Sequence, residues 1–362
     1  MMVFLLNSIF SFIQSSAKVV IFHGCNNFFI ELYRLFSQIL DRRNEFMVGL
    51  AGVVLLILGV IFSLWVGTTG WGYAGVSIWE SPVFWELRLP RTIHALLAGG
   101  GLALAGWLMQ ALFRNPLASP SILGVTNGAS LGVAWTTMVA AQWSWIPPSG
   151  ALLFSGAIGS VVVLILLGVF RKWIGSVTGL LIFGVMMGHF AGALETIFQQ
   201  WTDRENLSGL IYWSMGAFDR ADAGSGIALF LSLALGVVLV FQKTRTLDAW
   251  VMGDDFARSV GISLSSFSFF LIMVSGVLTA VITTYCGPVA FIGLASPHLT
   301  KLWMKHRNHQ KLLWGVLLTG AIIALYCDIF SRVFHLPLNA MTSLLGAPWV
   351  MWWIIKKGRH AF

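Results

Sequence analysis

Ten stretches of about 20 mostly apolar residues constrain this chain more than any other feature. They cover 47–66, 91–113, 121–141, 150–170, 176–199, 224–241, 264–284, 287–303, 312–333 and 338–355, with Glu195 interrupting the fifth and Pro297 the eighth. As a helix, such a run is about 30 Å long, the thickness of a bilayer's hydrocarbon core. Composition agrees: 57% of the residues are hydrophobic and 10% charged, where a soluble domain carries roughly 25% charged residues. The expected fold class is all-α, a polytopic membrane protein with about ten transmembrane helices over residues 47–362.

The basic residues give these runs a direction. If the first run starts in the cytoplasm and the chain alternates, seventeen of the 22 lysines and arginines fall inside; Arg88, Arg91, Arg204, Arg220 and Arg332 fall at the outer boundary. That asymmetry is the positive-inside pattern, and an even number of runs returns the C-terminus to the cytoplasm. Topology therefore accounts for the net charge of +8, and nucleic acid is not needed as a partner. Trp65, Trp71, Trp79, Trp85, Trp143, Trp145, Trp201 and Trp213 lie at expected outer ends, where amphipathic rings favour the headgroup layer.

Glycine is dense inside the runs, as in LLAGGGLALAG (96–106) and GVTNGASLG (124–132), and small residues let membrane helices approach closely. Two segments cannot be continuous helices: FRNPLASPSILG (113–124), broken by Pro116 and Pro120, and YCGPVAFIGLASPHL (285–299). Broken elements in corresponding places suggest two inverted five-helix halves with a path between them. The long loop 242–263, QKTRTLDAWVMGDDFARSVGIS, reads as two short helices split at Gly253, with Asp254 and Asp255 favourable at the second N-terminus. A loop so structured reads as a docking surface.

Ionisable residues inside the runs are His94, His189, Glu195 and Asp328. Asp328 and Arg332 stand four apart on one helix, so a local ion pair orienting the arginine outward is expected. In the RLPR segment, Pro90 suits a first helical turn and presents Arg88 and Arg91 to the exterior. These arginines either snorkel to lipid headgroups or await an acidic partner.

The segment from Leu87 to Gly132, with MGDDFARSVGI (252–262), GPVAFIGLASPHLTKL (287–302), DIFSRVFHLPLNAMTSLLGAP (328–348) and a basic C-terminus, resembles the FecCD-type permease subunits of ABC importers for iron–siderophore complexes and cobalamin. The resemblance runs from about residue 47 to the end. It implies a permease that pairs with a second permease subunit, two ATP-binding cassette ATPase subunits below and a substrate-binding protein on the outer face. By position, Arg88, Arg91 and Arg332 resemble the family's arginines that meet the binding protein. Met252, Gly253, Asp254, Asp255, Ala257, Arg258 and Gly261 fall in a stretch that resembles the family's coupling loop, which sits in a cleft of the ATPase. Asn115 and Leu117 fall where similar permeases narrow the path at the cytoplasmic end. Ala295 and Ser296 stand where the family carries an aliphatic residue, which is expected to alter the path's polarity. Iron(III)–siderophore complexes are the family's commonest cargo and the expected one here, with cobalamin or haem as alternatives.

No GxxxxGK[ST] occurs, so ATP hydrolysis is expected on a separate subunit. No nucleophile–base set or metal-ligand cluster emerges, so no catalytic residue, metal site or cofactor is expected. A secondary transporter would need ion-coupling carboxylates deep in the bundle and no docking loop. Cys25, Cys286 and Cys327 lack CxxC spacing and suggest neither a disulfide framework nor a zinc site. Residues 1–46 fall outside the resemblance; MMVFLLNSIFSFIQSS reads as an interfacial helix, a signal-like segment without a basic n-region, or a mis-assigned start.

Overall fold

The structure is a computed structural model that describes residues 45–67, 81–171, 173–174, 176–220, 223–304 and 309–358. The N-terminal extension lies outside these apart from Glu45 and Phe46, as do Trp71 and Trp79. Among the described residues there are thirteen α-helices: α1 Glu45–Trp65, α2 Leu89–Phe113, α3 Val125–Gln142, α4 Ser149–Phe170, α5 Val177–Gln200, α6 Arg204–Ser214, α7 Ala223–Gln242, α8 Thr244–Val251, α9 Asp254–Ser259, α10 Leu264–Cys286, α11 Ile292–Trp303, α12 His309–Phe334 and α13 Leu338–Gly358. A π-helical turn, Val83–Arg88, leads into α2.

Each expected run carries a helix, but not each is a full span. Six helices among the described residues are long and apolar enough to cross a membrane: Val83–Phe113, Ser149–Phe170, Val177–Gln200, Gly224–Gln242, Leu264–Cys286 and His309–Phe334. The clearest departure from ten spans is the run 287–303. Gly287 (φ 72°) and Phe291 (φ 64°) hold its first part out of helical geometry, leaving α11 with 12 residues. That is about 18 Å of helix, too short to cross the core alone.

Helix α2 is the axis around which the others pack. Its residues from Ala98 to Leu112 are all buried, because glycine and alanine replace bulk where neighbours cross. Gly99 meets the Gly320 carbonyl of α12, and Gly106 meets the Gly293 carbonyl of α11. A similar crossing joins α3 to α4, with Gly128 against Gly159 and Gly132 against Ser155. Polar side chains tie further crossings: between α10 and α2, Ser275 Oγ donates to the Ala105 carbonyl at 3.0 Å, and between α11 and α12, Thr300 meets Thr319 at 2.9 Å. In hydrocarbon each such bond contributes about 0.6 kcal/mol.

Two apolar clusters divide the interior near the middle of α2. One gathers Trp107, Leu112, Trp250, Leu271 and Leu313; the other gathers Ala95, Leu229, Cys286, Leu325 and Ile329. The periphery is apolar too: Ile158 and Ile165 on α4, Ile182 and Phe190 on α5, and Leu231 and Leu235 on α7 are exposed. Helices apolar outside and tightly packed inside suit a lipid solvent.

Candidate functional site

At one end of the bundle two arginines, Arg88 and Arg332, converge on the last turn of α1, whose final carbonyls have no partner within the helix, and a third, Arg91, joins them through Asp328. Arg88 Nη1 donates to Leu64 O at 3.0 Å and Trp65 O at 2.8 Å. Arg332 Nη1 donates to Ser63 O and Val66 O at 2.8 and 2.7 Å, and its Nη2 donates to Ser63 Oγ at 2.6 Å. Positive charge at a helix C-terminus also complements its dipole. Asp328, fully buried, receives Arg91 at 2.8 Å and Arg332 at 3.0 Å.

This arrangement corrects the expectation that Asp328 orients Arg332 outward. The side chain of Arg332 is only 2% exposed, because the orphan carbonyls of α1 lie inward of it. Arg88 is likewise buried. Arg91 reaches furthest toward the rim, where its Nη1 lies 3.8 Å from the exposed carboxylate of Asp219. Next along the rim, Arg220 donates to Tyr212 O at 2.7 Å; burial pulls its guanidinium below the usual arginine range, partly offset by Asp219.

The opposite end carries the long loop, folded as two short helices. Gly253 turns the corner between α8 and α9 at φ 125° and ψ 162°, a backbone region essentially reserved for glycine. Asp254 and Asp255 then open α9, where negative charge is favourable. Ala257 is fully buried under the corner, whereas Met252 (71% exposed), Phe256 and Val260 face outward with Asp254, Asp255 and Arg258. Gly261 (φ 82°) ends the unit before α10. An exposed apolar ridge flanked by charges has the composition of an interface core with a polar rim.

The loop is fastened to the bundle by residues that sequence reasoning did not single out. Trp250, buried in an otherwise polar segment, donates from Nε1 to the Ala111 carbonyl at 3.0 Å. Asp248 pairs with His309 through Oδ1 and Nδ1, and His309 stacks on Trp107 with ring centroids 5.5 Å apart. The isolated tryptophan in a charged loop was the available signal.

Asn115 and Leu117 stand in the turn after α2. Asn115 Oδ1 accepts from Leu117 N at 2.9 Å, and its carbonyl accepts from Ala118 N at 3.1 Å, an Asx turn before the second proline. Leu117 is exposed at the end of the bundle. The two broken segments meet here: Gly293 packs on Pro120, and His298 Nε2 donates to the Pro116 carbonyl at 2.5 Å. Ser296, expected to alter the polarity of a path, is buried and donates to Ile292 O within its own helix.

The other intramembrane ionisable groups are locally occupied or peripheral. His94 must donate from Nδ1, since its partner there is the Pro90 carbonyl at 2.9 Å; Nε2 then accepts from Ser225 Oγ at 2.8 Å and ties α2 to α7. Glu195 accepts from Gln199 at 3.1 Å. His189 is exposed on α5.

Comparison with known proteins places this geometry among membrane permeases. Residues 53–356 match the FecCD transport family. The chain is 33% identical over 340 residues to the vitamin B12 import system permease protein BtuC of Salmonella paratyphi A, covering 90% of this chain and 99% of the relative. To the protein of the same name from Escherichia coli O139:H28 it is 34% identical over 316 residues, covering 84% and 94%. A solved inward-facing structure of an ABC transporter assigned to the metal-chelate type superposes with a TM-score of 0.74 at 27% identity, covering 89% of this chain and 99% of that one.

Proposed function

The chain belongs to the FecCD transport family, and on that premise we propose that it is the permease subunit of an ABC importer for a large metal chelate, cobalamin ahead of iron(III)–siderophore complexes. The observation that carries the importer reading is the rigid corner at Gly253, which presents Met252 and Phe256 beyond the bundle. That ridge is the surface for the ATPase subunits, and ATP hydrolysis falls to them. The cargo reading rests on resemblance to vitamin B12 permeases, which favours cobalamin over the iron–siderophore complexes expected from sequence. Likeness to a structure of the metal-chelate type keeps ferric chelates as the second reading.

In this account residues 47–362 form one multi-pass permease unit in the bacterial cytoplasmic membrane. The end bearing α8 and α9 faces the cytoplasm with both termini, and the arginine end faces a substrate-binding protein. Arg91 supplies the rim charge for that protein's acidic surface; Arg88 and Arg332 shape the platform by holding α1. The Asn115–Leu117 turn is the cytoplasmic gate, and the exposed apolar faces meet lipid and a second permease subunit.

The cargo is tested by uptake in a strain lacking this chain. Restored accumulation of labelled cobalamin, undiminished by excess ferric siderophores, is expected on complementation. Restoration of ferric siderophore uptake alone would transfer the assignment to the second reading.

A further inference from the structure

Arg114 occupies the junction between the loop corner and the Asn115–Leu117 turn. It follows the last residue of α2 in a left-handed conformation (φ 47°, ψ 30°), uncommon for a residue with a side chain. Its backbone N–H closes α2 on the Ala111 carbonyl. Its side chain crosses to the loop: Nε and Nη2 donate to the Trp250 carbonyl at 3.2 and 2.8 Å, and Nη2 reaches Asp254 Oδ1 at 2.6 Å. The guanidinium also lies 5.2 Å from the centroid of the Trp250 ring. One cation thus touches the backbone and ring of Trp250 in the last turn of α8 and the first residue of α9.

The adjoining turn is held from its other side as well. His298 of α11 bonds the Pro116 carbonyl two residues further on. A displacement of the Gly253 corner therefore pulls on Arg114 and has only two bonds of backbone to travel before it reaches Asn115. From this geometry we propose that Arg114 is the positioning residue that transmits movement of the ATPase-facing corner to the Asn115–Leu117 turn. The planar, multidentate guanidinium suits the task, since a lysine ammonium is a point charge that cannot hold the Trp250 carbonyl and Asp254 in the same fixed fork. The inference rests on reading the chain as an importer permease.

Two measurements on the full chain test it. Arg114→Gly keeps the left-handed backbone and removes only the side chain, so loss of fold is not built into the variant. In the purified protein, hydrogen exchange at the Leu117 and Ala118 amides and across α8 and α9 is expected to quicken together, at least about tenfold. In proteoliposomes with the ATPase subunits and binding protein, cobalamin moved per ATP hydrolysed is expected to fall at least about fivefold, with Arg114→Lys between the variant and wild type. Wild-type uptake per ATP in Arg114→Gly would overturn the proposal. So would quickened exchange in α8 and α9 with the Leu117 and Ala118 amides unchanged. A wild-type complex that moves neither cobalamin nor ferric chelates would sink the importer reading instead, and the exchange result would still decide whether the two segments are joined.

Discussion

Arg91 and Asp328 stand 237 positions apart in sequence and meet through two contacts of 2.8 Å, from Nε and Nη2 onto one carboxylate oxygen. The same carboxylate holds Arg332, which in turn caps α1. A single buried acid thus ties the starts or ends of three helices at one end of the bundle.

Asp328→Ala leaves two guanidinium groups facing each other without their shared anion. Removing one partner of a buried pair costs about 3–5 kcal/mol. Thermal unfolding of the detergent-purified protein should show a loss of that order, and an unchanged melting temperature would mean that the pair is not holding α1.

Gly106 and Gly150 form a matched pair for testing helix crossing. A Cβ at Gly106 would overlap the Gly293 carbonyl, whereas nothing lies within 4 Å of one at Gly150. Backbone cannot yield as a side chain can, so Gly106→Val should cost about 3 kcal/mol or more. Gly150→Val should be nearly neutral. Size-exclusion profiles of the two variants after membrane extraction check this directly.

At Gly253 the obstacle to substitution is backbone geometry, since a Cβ there meets open space. Gly253→Val forces the corner out of φ 125° and should cost about 1–3 kcal/mol locally. Co-purification with the ATPase subunits should drop at least tenfold while the amount of protein in the membrane stays near wild type. Undiminished co-purification would place the ATPase contact elsewhere.

Leu117 is exposed at the foot of the bundle, where irregular backbone is tolerated if it lines a cavity. Cysteine at this position in both permease subunits should cross-link in one nucleotide state at least several-fold more than in another. Equal cross-linking in all states would mark the turn as static.

Much of this architecture was legible in the sequence because hydrocarbon imposes a length and a polarity on every run. The glycines at Gly99 and Gly106 announced close crossings, and MGDD announced the corner. The failures have physical causes. The break in YCGPVAFIGLASPHL was expected, but its extent, which leaves α11 with 12 residues, follows from Gly287 and the left-handed Phe291, a conformation that no apolar pattern encodes. Arg88, Arg91 and Arg332 were expected at one end of the bundle together, and they do lie together there. Their inward direction could not be seen, because the α1 carbonyls they satisfy belong to the backbone and leave no mark in the sequence. Arg114 was passed over as one more cation among many, its partners lying 136 and 140 positions away.

The central claim, that this chain is the permease of an ATP-driven importer of metal chelates, is tested most directly by reconstitution. The chain is placed in liposomes with its ATPase subunits, ATP and the substrate-binding protein on opposite sides, and labelled cobalamin is followed into the ATP-containing compartment. The account predicts accumulation against a gradient that needs both ATP and the binding protein and vanishes in Gly253→Val. Accumulation that proceeds without ATP, driven instead by an ion gradient, would contradict it.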